Sequence, residues 1–251
     1  VYMSSCPECD TPLVRKEGEA QHYCPNDVGC TPQIIGRIQH YISRKALDIE
    51  GLGGETVALL VHEGLIRDYA DLYELTTDQI IHLDRMAEKS ADNLVKGVQA
   101  SKDVPFERVL FGLGIRYVGE TVAKKLAKHY KSIEALSKAT LEDLEQVDEI
   151  GIKIAESVVD FFSTEANVQL VSRLILYGLQ LQLSEEALSN QTTQLEGLRF
   201  VVSGVFETVS RDELKALIDT NGGKVVSSIS AKTSYVVAGA NMGPSKRTKA
   251  E

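Results

Sequence analysis

The chain has 251 residues, 43% hydrophobic and 25% charged, with 19 Gly and 6 Pro, a globular composition long enough for more than one domain. It contains no run of about 18 apolar residues, which excludes a membrane-spanning helix. The net charge of -9 is uneven: Leu195–Glu251 holds eight Lys and Arg against six Asp and Glu, and the rest holds 19 against 30. This excludes a protein that holds nucleic acid by a blanket positive field, and leaves open one that uses local basic residues and backbone amides on one face. The opening Val1-Tyr2-Met3-Ser4-Ser5-Cys6 has neither the basic nor the apolar stretch of a secretory signal, so a cytoplasmic location is expected.

All four cysteines lie in the first thirty residues, as Cys6-Pro7-Glu8-Cys9 and Cys24-Pro25-Asn26-Asp27-Val28-Gly29-Cys30. A C-x2-C knuckle brings two thiolates to one ion, and a second short loop completes a tetrahedral all-sulfur site of the kind zinc takes. Four protein ligands leave no position for water, so such a zinc is structural. The alternative is two disulfides, which an oxidising compartment favours; without a signal peptide or further cysteines, zinc is the preferred reading. His22 is a further possible ligand, read here as a solvated loop histidine.

Between residues 49 and 158 one pattern recurs four times, centred on Gly53, Ala87, Gly119 and Gly151. Four positions before the centre stand Ile49, Leu83, Ile115 and Val147, and one before it Leu52, Met86, Val118 and Ile150. Four positions after it stand Val57, Ala91, Ala123 and Ala155, and seven after it Leu60, Leu94, Leu126 and Val158. Five columns in register over four copies make an internal repeat. Each copy reads as helix, tight apolar hairpin, helix, with the residues at +4 and +7 on one face of the second helix. The central glycine is expected to permit a turn that a β-carbon obstructs. A turn that feeds a helix N-terminus points free amides outward, a ready phosphate site. The competing reading is a helical solenoid whose hairpins serve only to pack.

Residues 184–194 are polar and without apolar period, and read as a linker. Phe200-Val201-Val202 then reads as a buried strand ending at Ser203-Gly204. Ser210 and Glu213 form a capping box for a helix that stops at Gly222-Gly223, and Lys224–Val226 and Tyr235–Val237 read as further strands. The chain stops inside what reads as the next helix, so this last domain reads as incomplete.

The repeat resembles the helix-hairpin-helix motif, which binds the DNA backbone without regard to sequence. The first copy, Ile49-Glu50-Gly51-Leu52-Gly53, carries both glycines of that hairpin. The third and fourth have Tyr117 and Glu149 at the first glycine and keep the second, and Leu83-Asp84-Arg85-Met86-Ala87 has neither. Longer stretches resemble NAD-dependent DNA ligases: His40 through Gly53, Glu88-Lys89-Ser90-Ala91-Asp92-Asn93-Leu94, and Leu113-Gly114-Ile115-Arg116-Tyr117-Val118-Gly119-Glu120. The β-α-β-β order at the end resembles a BRCT domain. The resemblance covers essentially the whole chain as that family's C-terminal part.

The expected architecture is therefore multidomain and mainly α. A four-cysteine zinc ribbon occupies residues 1–33, an all-α domain of four helix-hairpin-helix repeats 34–183, a linker 184–194, and a small α/β BRCT-like domain 195–251. The metal ligands are Cys6, Cys9, Cys24 and Cys30. The expected DNA contacts are Gly53, Gly119 and Gly151, with Lys89, Arg116 and Lys153 as charged partners, and Ser203 with Gly204 is a candidate phosphate site. The Lys-x-Asp-Gly run in which the family carries AMP does not occur, nor does a phosphate loop or a dinucleotide fingerprint. The resemblance thus implies a non-catalytic part of a ligase that clamps nicked duplex DNA for separate adenylation and oligonucleotide-binding (OB) domains, to which NAD+ and Mg2+ belong. The other reading is a stand-alone repair or recombination module with no ligase attached.

Overall fold

The first helix grows directly out of the last cysteine. Cys30 is the N-cap residue of α1 (Thr31–Ile42) and Pro32 lies in its first turn, where a missing amide costs no hydrogen bond. The helix then buries Ile38, Tyr41 and Ile42. The computed structural model describes residues 3–250 except 16, 17, 19, 85, 190, 191 and 193. In it α1 is followed by α2 (Gly54–His62), α3 (Thr77–Ile80), α4 (Glu88–Ala100), α5 (Phe106–Gly112) and α6 (Glu120–Tyr130). Next come α7 (Ile133–Ser137), α8 (Leu141–Glu145), α9 (Ile152–Ser163) and α10 (Glu165–Leu176). The four repeats pair α1 with α2, α3 with α4, α5 with α6, and α8 with α9. Each second helix starts one residue after the predicted centre.

Burial follows the columns. Val57, Ala91, Ala123 and Ala155 are fully buried, as are Leu60, Leu94 and Leu126, with Val158 nearly so. Ahead of the turns Ile49, Ile115, Val147, Leu52, Val118 and Ile150 are buried, and only Leu83 and Met86 of the second copy are partly exposed. A fully buried Leu or Val contributes roughly 2 kcal/mol, so the columns supply each repeat with a set of core contacts, to which residues outside the columns such as Tyr41, Leu72, Phe106 and Leu144 add more. Neighbouring copies interlock through backbone. A β-carbon on Gly97 of α4 would stand 2.2 Å from the Glu50 carbonyl oxygen, so glycine there lets α4 lie against the first hairpin.

The cysteine segment and the repeats form one compact unit ending at Leu183. A charged clasp within it was not foreseen from sequence. Arg173 of α10 reaches Asp68 at 2.9 Å, Asp71 at 2.5 Å and Glu74 at 3.0 Å, and the Tyr177 hydroxyl donates to Glu74. Burial and the neighbouring Asp71 raise the Asp68 carboxyl above its ordinary range, outweighing Arg173. The Tyr177 and Arg173 hydrogen bonds hold Glu74 below its ordinary range.

The second unit is Ser184–Glu251. Its elements are α11 (Glu185–Ser189), β1 (Arg199–Ser203), α12 (Arg211–Thr220), β2 (Lys224–Val225), β3 (Tyr235–Ala238) and α13 (Pro244–Ala250). The strands form a parallel sheet in the order β2-β1-β3, with Phe200 opposite Val225 and Tyr235. A parallel pair needs a crossover, which α12 provides between β1 and β2. The Ser210 hydroxyl caps that helix by accepting the Glu213 amide at 3.1 Å, and Glu213 accepts the Ser210 amide at 2.7 Å. Phe200, Val202 and Ile218 form a small core. The segment 184–194, read as a linker, carries local structure and groups with the second unit. Part of it is α11, and the Thr192 hydroxyl donates to Asn221 at 2.7 Å while its amide donates to Thr220 at 3.1 Å. Polar side chains hid this docking, because it runs through hydrogen bonds to the end of α12 and leaves no apolar period. Asn190, Gln191 and Thr193 of that segment, Arg85 of the second hairpin and Glu251 lie outside the described residues.

Candidate functional site

The four cysteine sulfurs lie within 4.8 Å of one another. Cys6 and Cys30 are 3.9 Å apart and Cys9 and Cys24 3.5 Å, far beyond the roughly 2.05 Å of a disulfide. Tetrahedral zinc with bonds of about 2.3 Å sets sulfurs about 3.8 Å apart, so the geometry fits zinc and closes the disulfide alternative. His22 does not join the group. Backbone turns make the two loops: the Cys6 carbonyl accepts the Asp10 amide at 2.9 Å, and the Cys30 amide donates to Asn26 at 3.1 Å. The Gln33 side-chain amide donates to the Cys24 carbonyl at 2.9 Å and stitches the second loop to α1. Hydrogen bonds from Thr11 lower the Cys9 thiol to about 6, and burial pushes Cys30 up to about 12 and raises Cys24. A metal held by these sulfurs would favour their thiolate form. Four sulfurs would fill all four positions, so a zinc bound here has no site for water and is structural.

At the hairpins the structure revises the role of the central glycine. Gly53, Gly119 and Gly151 have φ of -95°, -81° and -90° with extended ψ, and a β-carbon on any of them meets nothing within 4 Å among the described residues. Ala87 occupies the same place at φ -82°. The fold therefore does not need glycine at the centre. The left-handed backbone falls two residues earlier, at Gly51, Tyr117 and Glu149 with φ of 80°, 64° and 66°. There the third residue of a tight turn takes positive φ, and the amides of Val118 and Ile150 close their turns onto Ile115 and Val147 at 3.0 Å.

What the central position does is start a helix. Gly53, Ala87, Gly119 and Gly151 are the N-cap residues of α2, α4, α6 and α9, and none receives a side-chain cap. By contrast Ser132, Thr140 and Ser210 cap α7, α8 and α12 through their hydroxyls. The four hairpin helices thus present first-turn amides and the positive end of the helix dipole. Gly53, Ala87, Gly119 and Gly151 are all exposed, as are Lys89 and Lys153. Glu55, Glu88 and Glu120 sit in three of the first turns, and α9 has no acid there. Lys45 pairs with Glu120 at 2.8 Å and offsets its charge.

Arg116 is exposed and lies over two rings, 5.2 Å from the Tyr23 centroid and 5.0 Å from that of Tyr117. Lys125, which sequence reasoning passed over, reaches Glu149 at 2.5 Å and Asp148 at 3.8 Å; nothing in its spacing marked it. In the second unit Ser203 is buried. Gly204 has φ 99° and a β-carbon on it would meet the Gly239 oxygen at 2.6 Å, so close backbone packing accounts for that glycine.

Comparison with known proteins follows the same order along the chain. Residues 5–31 match the NAD-dependent DNA ligase C4 zinc finger domain, 43–100 a SAM-like helix-hairpin-helix tandem, 108–171 a helix-hairpin-helix motif and 190–251 the BRCA1 C Terminus (BRCT) domain. A DNA ligase of Christiangramia forsetii is 68% identical over 100% of this chain, one of Flavobacterium psychrophilum 66% over 99%, and one of Bacteroides fragilis 58% over 99%. The chain spans 37–38% of the length of these relatives. From the four-thiol centre through the hairpins to the small parallel sheet, the chain belongs to the NAD-dependent DNA ligase family and corresponds to the C-terminal part of its members.

Proposed function

We propose that this chain is the DNA-gripping portion of a cytoplasmic ligase that seals nicks in duplex DNA during replication and repair. Adenylation and OB domains of the same protein supply the chemistry with NAD+ and Mg2+, and this portion alone does not ligate. The observation that carries the reading is the set of four uncapped helix N-termini, three of them opening on an exposed glycine with free space where a β-carbon would stand. A solenoid that only packs has no use for that glycine, whereas a phosphate approaching the amides does. Gly53, Gly119 and Gly151 present the amides, and Lys89, Arg116 and Lys153 add local charge that the net -9 does not provide. Such contacts hold the duplex without reading its sequence. For Ser203 and Gly204 the corresponding phosphate role has less support, since burial and packing already explain both.

The test is fluorescence anisotropy on nicked duplexes over a salt series. Gly119→Val and Gly151→Val keep a backbone that valine readily adopts, so they should fold normally. Each should weaken binding about tenfold, the worth of one charge-assisted hydrogen bond, and lower the salt slope by about 0.9 for each phosphate no longer neutralised. Variants that fold and bind like the parent would show the hairpins to be packing devices.

A further inference from the structure

We propose that Tyr23 of the zinc-binding segment is a positioning residue for Arg116, so that the metal-organised loop and the third hairpin hold phosphate as one unit. The inference rests on the reading that the third hairpin contacts DNA. Tyr23 adjoins the ligand Cys24, and its own amide and carbonyl pair with Val14, both at 2.9 Å. That bridge fixes where the ring stands, and a zinc held by Cys24 would hold the same backbone from the other side. Across the unit, 93 positions later in the chain, the Arg116 guanidinium carbon lies 5.2 Å from the Tyr23 centroid and 5.0 Å from that of Tyr117. Tyr117 is itself set by the left-handed turn of the hairpin. One cation therefore rests on two rings, one from each module.

The chemistry of that contact suits a phosphate grip. Guanidinium stacked on a ring meets the aromatic with its face, and the stack fixes the direction in which the N–H groups on its rim point. Stacking also removes rotamer freedom before DNA arrives, so less is lost on binding. The Tyr23 hydroxyl is buried and has no hydrogen-bond partner among the described residues. Its ring face, not its oxygen, makes the contact, which separates this role from that of an ordinary buried tyrosine.

Binding of the 251-residue chain to a nicked duplex, measured by anisotropy at low salt with zinc content and circular dichroism recorded for every variant, tests the proposal. Arg116→Ala should weaken binding about tenfold and Tyr23→Leu about threefold to tenfold, the scale of a partly desolvated cation–π contact. Tyr23→Phe should bind like the parent. In the Arg116→Ala background Tyr23→Leu should cost nothing further, a dependence that a merely structural tyrosine does not show. An undiminished Tyr23→Leu effect in that background, or an equal weakening in Tyr23→Phe, overturns the proposal. If Tyr23→Leu sheds its zinc, Arg116→Lys decides, because lysine keeps the charge and lacks the planar face. It should fall near Arg116→Ala, and parent-like binding by it overturns the proposal. If Arg116→Ala and Gly119→Val both bind like the parent, the DNA-contact reading of the hairpin fails and the inference falls with it. If they weaken binding and Tyr23→Leu does not, the inference alone fails.

Discussion

Gly51 and Gly53 stand two residues apart and answer to different forces. Gly51 has φ 80° and the Leu94 backbone 3.4 Å from its would-be β-carbon, while Gly53 has an extended backbone and open space. Holding an L-residue in the left-handed region costs about 1–2 kcal/mol. Gly51→Ala should therefore lower the unfolding free energy by about 1–2 kcal/mol, and Gly53→Ala should change it by less than about 0.5 kcal/mol. Urea denaturation measures both, and a larger destabilisation at Gly53 would return the constraint to the central position. The sequence misled on this point for a physical reason. Glycine identity is visible as a column, and three of four centres keep it, whereas backbone angle is not visible at all. At the truly left-handed position Tyr117 and Glu149 replace glycine and disguise the requirement. Both carry charged neighbours that help to hold them, Arg116 over the Tyr117 ring and Lys125 beside Glu149.

Helices that repeat one local spacing were readable from sequence because the burial columns depend only on offsets of three or four residues. Contacts that join distant elements were not. The Arg173 clasp links α10 to Asp68, Asp71 and Glu74 across about a hundred positions, and no periodicity marks it. The four cysteines were readable for the opposite reason: their chemistry is rare enough for spacing alone to carry it. Removing Arg173 leaves part-buried carboxylates without their cation, a costlier state than either the intact cluster or an apolar one. Arg173→Met should destabilise the unit by about 1–3 kcal/mol near neutral pH, with the magnitude held down by the exposure of Glu74. The pH dependence has a definite sign. Glu74 is held below its unfolded value of 4.5, so its contribution is present above that value and lost as pH falls through the lower, folded one. Asp68 is raised above 3.8 and takes up its proton earlier than in the unfolded chain, relieving the unpaired charge. The difference between variant and parent should therefore be full near neutral pH and shrink as the carboxylates take up protons in acid. Urea midpoints between pH 4 and pH 7 would show this, and a difference that grows in acid would rule out the clasp as a net source of stability.

At the scale of the whole molecule, charge and core divide unequally between the two units. Ser184–Glu251 carries eight basic and eight acidic residues, so the entire net charge of -9 belongs to the unit that holds the thiol centre and the hairpins. Its core runs through every repeat, whereas the second core consists of Phe200, Val202 and Ile218 with partly buried neighbours. A domain of under 70 residues with so small a core has little reserve of stability. Calorimetry of the whole chain should show two transitions, the lower one belonging to the second unit. A chain ended at Leu183 should lose that lower transition, keep the upper one at the same temperature, and retain one zinc. Its binding to nicked duplex is the sharper measurement. If the hairpins hold phosphate through local amides and a few cations, affinity and salt slope should stay within about twofold of the parent, because every donor is still present and the net charge is unchanged. A steep fall in affinity in a truncated chain that still folds and binds zinc would move the principal DNA contact into the second unit and leave the hairpins a supporting role.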